Sequence, residues 1–82
     1  MKLNESNAMR GVVMDAQGEV VDGGWLIKGK EEGSFLPEDS SLIPEILERG
    51  CSIQIRADES TLQIRNLRES GLGKDHVDFD LL

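Results

Sequence analysis

The chain has one cysteine, one histidine and no tyrosine, and its aromatics are limited to Trp25, Phe35 and Phe79. Each shortage excludes something. A single Cys51 cannot form an internal disulfide, so no covalent staple supports the fold, and a free thiol suits a reducing compartment. Nucleophilic catalysis needs a nucleophile beside a base that a third group orients. Cys51 and His76 are the one thiol–imidazole pair available, and Cys51 opens an alternating apolar segment where a cysteine is expected to act as a small buried hydrophobe. The paired glycines Gly23-Gly24 lack the Lys-Ser/Thr sequel of a phosphate loop. No enzymatic activity and no cofactor are expected.

Long hydrophobic runs are also missing. Nothing approaches the roughly 20 apolar residues of a membrane span, and the opening MKLNESNA lacks the apolar centre of a signal peptide. A cytoplasmic chain without membrane contact is expected. Ser6-Asn7-Ala8 before Met9 has the form of an expression-tag remnant, so residues 1–9 are expected to lie outside the fold and residues 10–82 to form one domain. Basic side chains are scarce: nine Lys and Arg stand against 16 Asp and Glu, a formal charge of −7 spread along the chain. Phosphate contact needs a basic surface, so direct binding of nucleic acid is not expected. The acidity serves solubility, or it lets the chain compete with nucleic acid for a basic protein.

What the chain does contain is alternation. Ile53-Gln54-Ile55-Arg56 and Leu62-Gln63-Ile64-Arg65 are near-copies nine residues apart. Each has the period of a strand with one buried face. The polar Ala57–Thr61 stretch between them is rich in turn formers, so residues 51–67 read as a β-hairpin. Pairing Ala57 with Leu62 sets Ile55 opposite Ile64, Arg56 opposite Gln63 and Gln54 opposite Arg65, which places every apolar residue on one face. Upstream, Gly11–Met14 and Glu19–Val21 flank Asp15-Ala16-Gln17-Gly18, a type I turn with a glycine bulge. Asp22-Gly23-Gly24 reads as a second turn or a bulge, followed by strands at Trp25–Lys28 and Ser34–Leu36. Asp39, Ser40 and Ser41 are N-cap candidates for one helix that carries Leu42, Ile43, Ile46 and Leu47 on a single face and stops at Gly50. The expected fold class is α+β: a small antiparallel sheet of five or six strands with one short helix packed on its apolar face.

Candidate sites are few. Asp75, His76, Asp78 and Asp80 form a metal-like cluster, but strand neighbours two apart are roughly 6–7 Å from each other, so a solvated acidic face is expected and no metal. Arg56 and Arg65, with Gln54 and Gln63, make a basic patch suited to a carboxylate-bearing partner. Trp25 is a core residue or an exposed anchor, since tryptophan is enriched among binding hot spots. The final segment, with Val77, Asp78, Phe79, Asp80 and Leu81, is either a docking tail or a strand of its own domain. The expectation that follows is a non-enzymatic protein–protein interaction module, an inhibitor or regulator whose partner is another protein, itself a nucleic-acid binder on the acidic reading. In size, acidity and lack of catalytic groups the chain is similar in kind, though not by any motif, to phage anti-defence proteins including anti-CRISPR inhibitors. A core this small also favours self-association, so a homodimer joined by sheet edges or by the tail is expected. The alternatives are a self-assembling structural subunit and a small-molecule or metal-binding module.

Overall fold

The computed structural model describes residues 8–71 and 73–82. Among them are six strands: β1 (Met9–Met14), β2 (Val20–Lys28), β3 (Glu32–Pro37), β4 (Ser52–Ile55), β5 (Thr61–Glu69) and β6 (Val77–Leu81). One helix, α1 (Ile43–Arg49), follows a short 3-10 turn at Ser40–Leu42 and joins β3 to β4. Every strand pairing is antiparallel, and the sheet closes into a barrel in the order β1-β2-β3-β6-β5-β4. Two three-stranded meanders, β1–β3 and β4–β6, are thus joined through β1 with β4 and β3 with β6.

The α+β, β-rich class is as expected, but the sheet is closed rather than open. An open sheet needs a cover as wide as its apolar face, and a seven-residue helix is too short to provide one. Closure lets the sheet cover itself. Val13, Leu26, Phe35, Ile53, Val77 and Phe79, drawn from five of the six strands, meet in the interior with at most 1% of their surface exposed. Closure also removes the unpaired edges that invite other strands.

Paired glycines permit the tight coil. Gly24 of β2 lies opposite Gly11 of β1. A Cβ on Gly24 would fall 2.1 Å from the Leu36 carbonyl oxygen, and one on Gly11 would fall 2.6 Å from Leu26 Cδ2. The Asp22-Gly23-Gly24 stretch is therefore not a turn: β2 continues through it for nine residues, with a register shift against β1 at its leading edge, where Val13 faces Asp22 and Met14 faces Val20, and β3 approaches its backbone where no side chain intervenes.

Helix α1 touches β2 and β5, which stand on opposite sides of the ring, so it spans one mouth of the barrel. Ile43 and Ile46 point into the core, with Leu42 and Leu47 partly buried beside them. The Asp39 carboxylate caps the 3-10 turn before the helix by accepting from the Ser41 backbone N–H at 3.0 Å, whereas α1 itself starts after Leu42 with no side-chain cap, which corrects the expected N-cap. The Asp15–Gly18 turn forms as expected: Gly18 has φ 82° and donates to the Asp15 carbonyl at 3.0 Å.

Three further expectations are corrected, and one alternative left open, the last segment, is decided. The β4–β5 register differs by four residues: Leu62 faces Ile53, not Ala57. The faces survive, because an even shift preserves the alternation. The cause is the connection. Asp58 Oδ1 accepts from both the N–H and the hydroxyl of Ser60, Glu59 adopts φ 58°, and Arg56 N–H leaves the hairpin to donate to the Arg10 carbonyl of β1. Met9, expected to lie outside the fold, belongs to β1 and pairs with Leu26; residues 1–7 are outside the described residues. Cys51 is exposed, because β4 begins only at Ser52 and the chain is still turning away from α1 there. The last segment is no docking tail. It is β6, seated between β3 and β5, with Val77 and Phe79 fully buried.

Candidate binding surface

On the outer wall of β1, β2 and β3, cross-strand register sets Arg10, Trp25 and Leu36 side by side. Trp25 alternates with the inward Leu26, so its indole is forced outward and is 38% exposed. The Arg10 guanidinium lies over the ring with its carbon 4.8 Å from the ring centroid. Such a stack is worth about 0.5–1 kcal/mol at an exposed position. Arg10 is itself held by Glu38, Nη2 to Oε1 at 2.6 Å. Glu38 is positioned in turn by its own N–H, which donates to the Gly23 carbonyl at 2.9 Å. The chain Glu38–Arg10–Trp25 restrains an exposed aromatic in one orientation, which lowers the ordering cost of using it as an anchor. Leu36 and Val12, both half-buried, continue the apolar ground around it.

Arg56 joins this wall, because its backbone bonds β1 at Arg10, and its Nη1 donates to Gln54 Oε1 at 3.2 Å. Arg65 does not. The four-residue shift removes the expected Arg56–Gln63 and Gln54–Arg65 pairs, and Arg65 faces Asp80 of β6 instead. Trp25 and Arg56 therefore flank Arg10 on one wall, while Arg65, Asp78 and Asp80 lie on the far wall. There Asp78 accepts from the Ser34 hydroxyl at 2.6 Å, and Asp80 accepts from Asn66 Nδ2 at 2.8 Å and Arg68 Nη1 at 3.2 Å. The Asn66 bond, with Arg68 nearby, holds the Asp80 carboxyl below its ordinary range. Val77 and Phe79 are interior and cannot meet a partner, which corrects their place among contact residues; Leu81 is half-buried at the strand's end. The metal-like cluster is dispersed by burial of His76 and pairing of the aspartates, and no group of three potential ligands among the described residues is arranged to hold an ion.

Arg10 is the residue that sequence reasoning missed. Counting back from the Asp15–Gly18 turn along uninterrupted strands sets Arg10 opposite Gly24; the register shift between Val13 and Met14 moves its partner to Trp25, so the pair has no local signal. No family model, curated protein or solved structure matches the chain.

Proposed function

We propose that this protein is a non-enzymatic protein-binding module that acts by covering a surface on another macromolecule, as a small inhibitor or regulator does. The carrying observation is Trp25, an outward aromatic pre-set by the Arg10 stack and the Arg10–Glu38 pair. Exposed, restrained tryptophans with arginine neighbours are the composition of binding hot spots. The surplus of carboxylates elsewhere on the chain suits a partner that is basic overall. A self-assembling subunit joined at strand edges is the weaker reading, because the closed barrel offers no open edge.

The test is affinity capture from a host lysate with the wild-type chain and Trp25→Ala as parallel baits. A stoichiometric partner that the wild type retains and the variant loses is expected. Truncating a hot-spot tryptophan costs about 2 kcal/mol or more, roughly thirtyfold in affinity. Equal retention by both baits would remove the Trp25 wall from the contact. Recovery of bait alone, at twice its mass or more, would move the reading to self-assembly.

A further inference from the structure

The register places two arginines side by side on the Trp25 wall. Gly11 pairs with Ile55, and one step further along both chains the Arg56 N–H donates to the Arg10 carbonyl at 3.0 Å. Arg10 pairs with Trp25, and Trp25 with Leu36. Arg56, Arg10, Trp25 and Leu36 thus form one outward row from the end of β4 across β1 and β2 to β3, about 14 Å long at the usual strand spacing. The row beside it runs Gln54, Val12, Gly23. Glu38 lies over Gly23, where a Cβ would fall 3.4 Å from its Oε2. Arg10, Trp25 and Arg56 are all exposed.

Like charges directly opposite each other on one sheet face destabilise the pair. The charge of Arg10 is answered twice, by Glu38 Oε1 at 2.6 Å and by the Trp25 ring at 4.8 Å. That of Arg56 is not. Among the described residues its one side-chain hydrogen bond goes to the neutral amide oxygen of Gln54 at 3.2 Å, and it forms no ion pair. Asp58, the nearest acid along the chain, is engaged with Ser60. On a chain with 16 acidic and nine basic side chains, this wall therefore holds a local excess of positive charge. A guanidinium presents its N–H donors in a fixed fork that fits a carboxylate, and most of that fork is unused on Arg56.

We propose that the Arg10–Arg56 pair receives a single carboxylate, an Asp or Glu side chain of a foreign protein, while an apolar side chain of the same segment packs on Trp25 and Leu36. This deepens the Trp25 reading and rests on it. An acid seated between two guanidiniums relieves their mutual repulsion and accepts charge-assisted hydrogen bonds. A polyphosphate suits the wall poorly, because the chain's net charge of −7 repels every further negative charge it brings. A single carboxylate meets that field once. The arginine pair and the indole are one to two strand spacings apart, about 5–10 Å. That separation sets the acid and the apolar residue two positions apart in an extended segment, or one turn apart on a helix. The negative field steers a basic partner, and the arginine pair selects the place on it where the wall lands.

The experiment is selection of a displayed library of random linear peptides on the full chain, in parallel on wild type, Trp25→Ala, Arg56→Gln and Arg56→Glu. Enriched peptides are then measured one by one by fluorescence anisotropy. Wild type should enrich peptides with Asp or Glu at the stated spacing from an aromatic or aliphatic residue. Arg56→Gln should weaken them about tenfold, as loss of a charge-assisted hydrogen bond does. Changing the peptide acid to its amide should weaken wild-type binding by a similar factor and add little in Arg56→Gln, the signature of a direct pair. Arg56→Glu should enrich Lys or Arg in place of the acid. Because Arg56 is exposed and opposes Arg10, Arg56→Gln should melt at or above the wild-type temperature. Peptides that need Trp25 but show no preference for an acid, or that bind Arg56→Gln as well as wild type, would overturn the carboxylate pairing and leave the Trp25 wall standing. Absence of any Trp25-dependent peptide would overturn both. A lower melting temperature in Arg56→Gln would make Arg56 a structural residue, and a wild-type dimer that Arg56→Glu dissolves in sedimentation would make the occupant a second copy; either result would also overturn the proposal.

Discussion

The carboxylate of Asp15 is the most heavily used polar side chain in the turn that starts the barrel. It is 7% exposed, accepts from the backbone N–H groups of Gln17 and Glu19 at 3.0 Å each, and receives Arg49 Nη2 at 2.6 Å from the last turn of α1. It therefore ties the β1–β2 turn to the helix that spans the barrel mouth. The Arg49 bond, more than any other influence, holds its carboxyl below the ordinary value of 3.8, with the backbone donors helping. The linkage sign follows. A group with a depressed folded value adds stability that is complete above its unfolded value and is lost as pH falls through its folded value. Asp15→Asn should thus lower the melting temperature at pH 7, and the gap from wild type should close as pH drops below 3.8. Thermal denaturation of both proteins between pH 7 and pH 2 checks this; a gap independent of pH would show that the charge does not matter. The same scale holds the part of the binding wall that sequence reasoning reached. Trp25 and Arg56 were readable as residue types suited to contact. Their meeting through Arg10 was not, because it depends on a register that local pattern leaves open.

At the level of elements, β6 carries the clearest test. Phe79 is fully buried against β3, where a Cβ on its cross-strand partner Gly33 would fall 2.7 Å from the ring. Phe79→Ala should cost about 3–5 kcal/mol. A domain of this size holds only roughly 3–5 kcal/mol in all, so the variant should be largely unfolded by circular dichroism at 25 °C. Deleting Val77–Leu82 should do the same, whereas a folded truncated chain would return the segment to the role of tail. In the hairpin, Ile53→Asp should unfold the domain and Gln54→Asp should be mild, since Ile53 is fully buried and Gln54 is on the outer wall. These contrasts show which elements were legible. Period-two alternation located β4, β5 and β6 and assigned their faces. The apolar stripe located the helix, while the Asp39 cap belongs to the 3-10 turn that precedes it. Closure was not legible, because an alternating strand is equally at home in an open sheet and in a barrel. The one local hint was the inward glycine pair, Gly11 and Gly24, which marks backbone approach and not chain reversal. The hairpin register failed for a related reason: any even shift keeps the apolar face, and the choice among shifts was made by Arg56 bonding a third strand.

For the whole molecule, closure changes how self-association should be expected. A small core was grounds for a homodimer built on sheet edges or an exchanged tail, but the barrel pairs each strand on both sides and holds β6 inside. Sedimentation should therefore give the 9.1 kDa monomer, and a stable dimer would have to use a wall of the barrel. What the outside of the molecule retains is charge. Arg10, Arg49 and Arg68 are each bound to acids of the same chain, at 2.6 Å from Glu38, 2.6 Å from Asp15 and 3.2 Å from Asp80. Each pair cancels one carboxylate locally and leaves the net charge of −7 unchanged, so the field seen by an approaching partner is negative. Such a field acts over the Debye length, about 10 Å at 0.1 M salt, and changes the rate of encounter more than the lifetime of the complex. Association with a basic partner should slow on the order of tenfold as ionic strength rises from about 0.03 to about 0.3 M, with dissociation nearly constant. Trp25→Ala should behave in the opposite way, with faster dissociation and an unchanged salt slope, because the indole is a contact and not a source of field. Surface plasmon resonance of both chains across that salt range separates the two effects. A salt-independent association rate would leave the acidity as a matter of solubility alone, and an altered slope in the Trp25 variant would mean that Arg10, freed from its stack, contributes to the field at the interface.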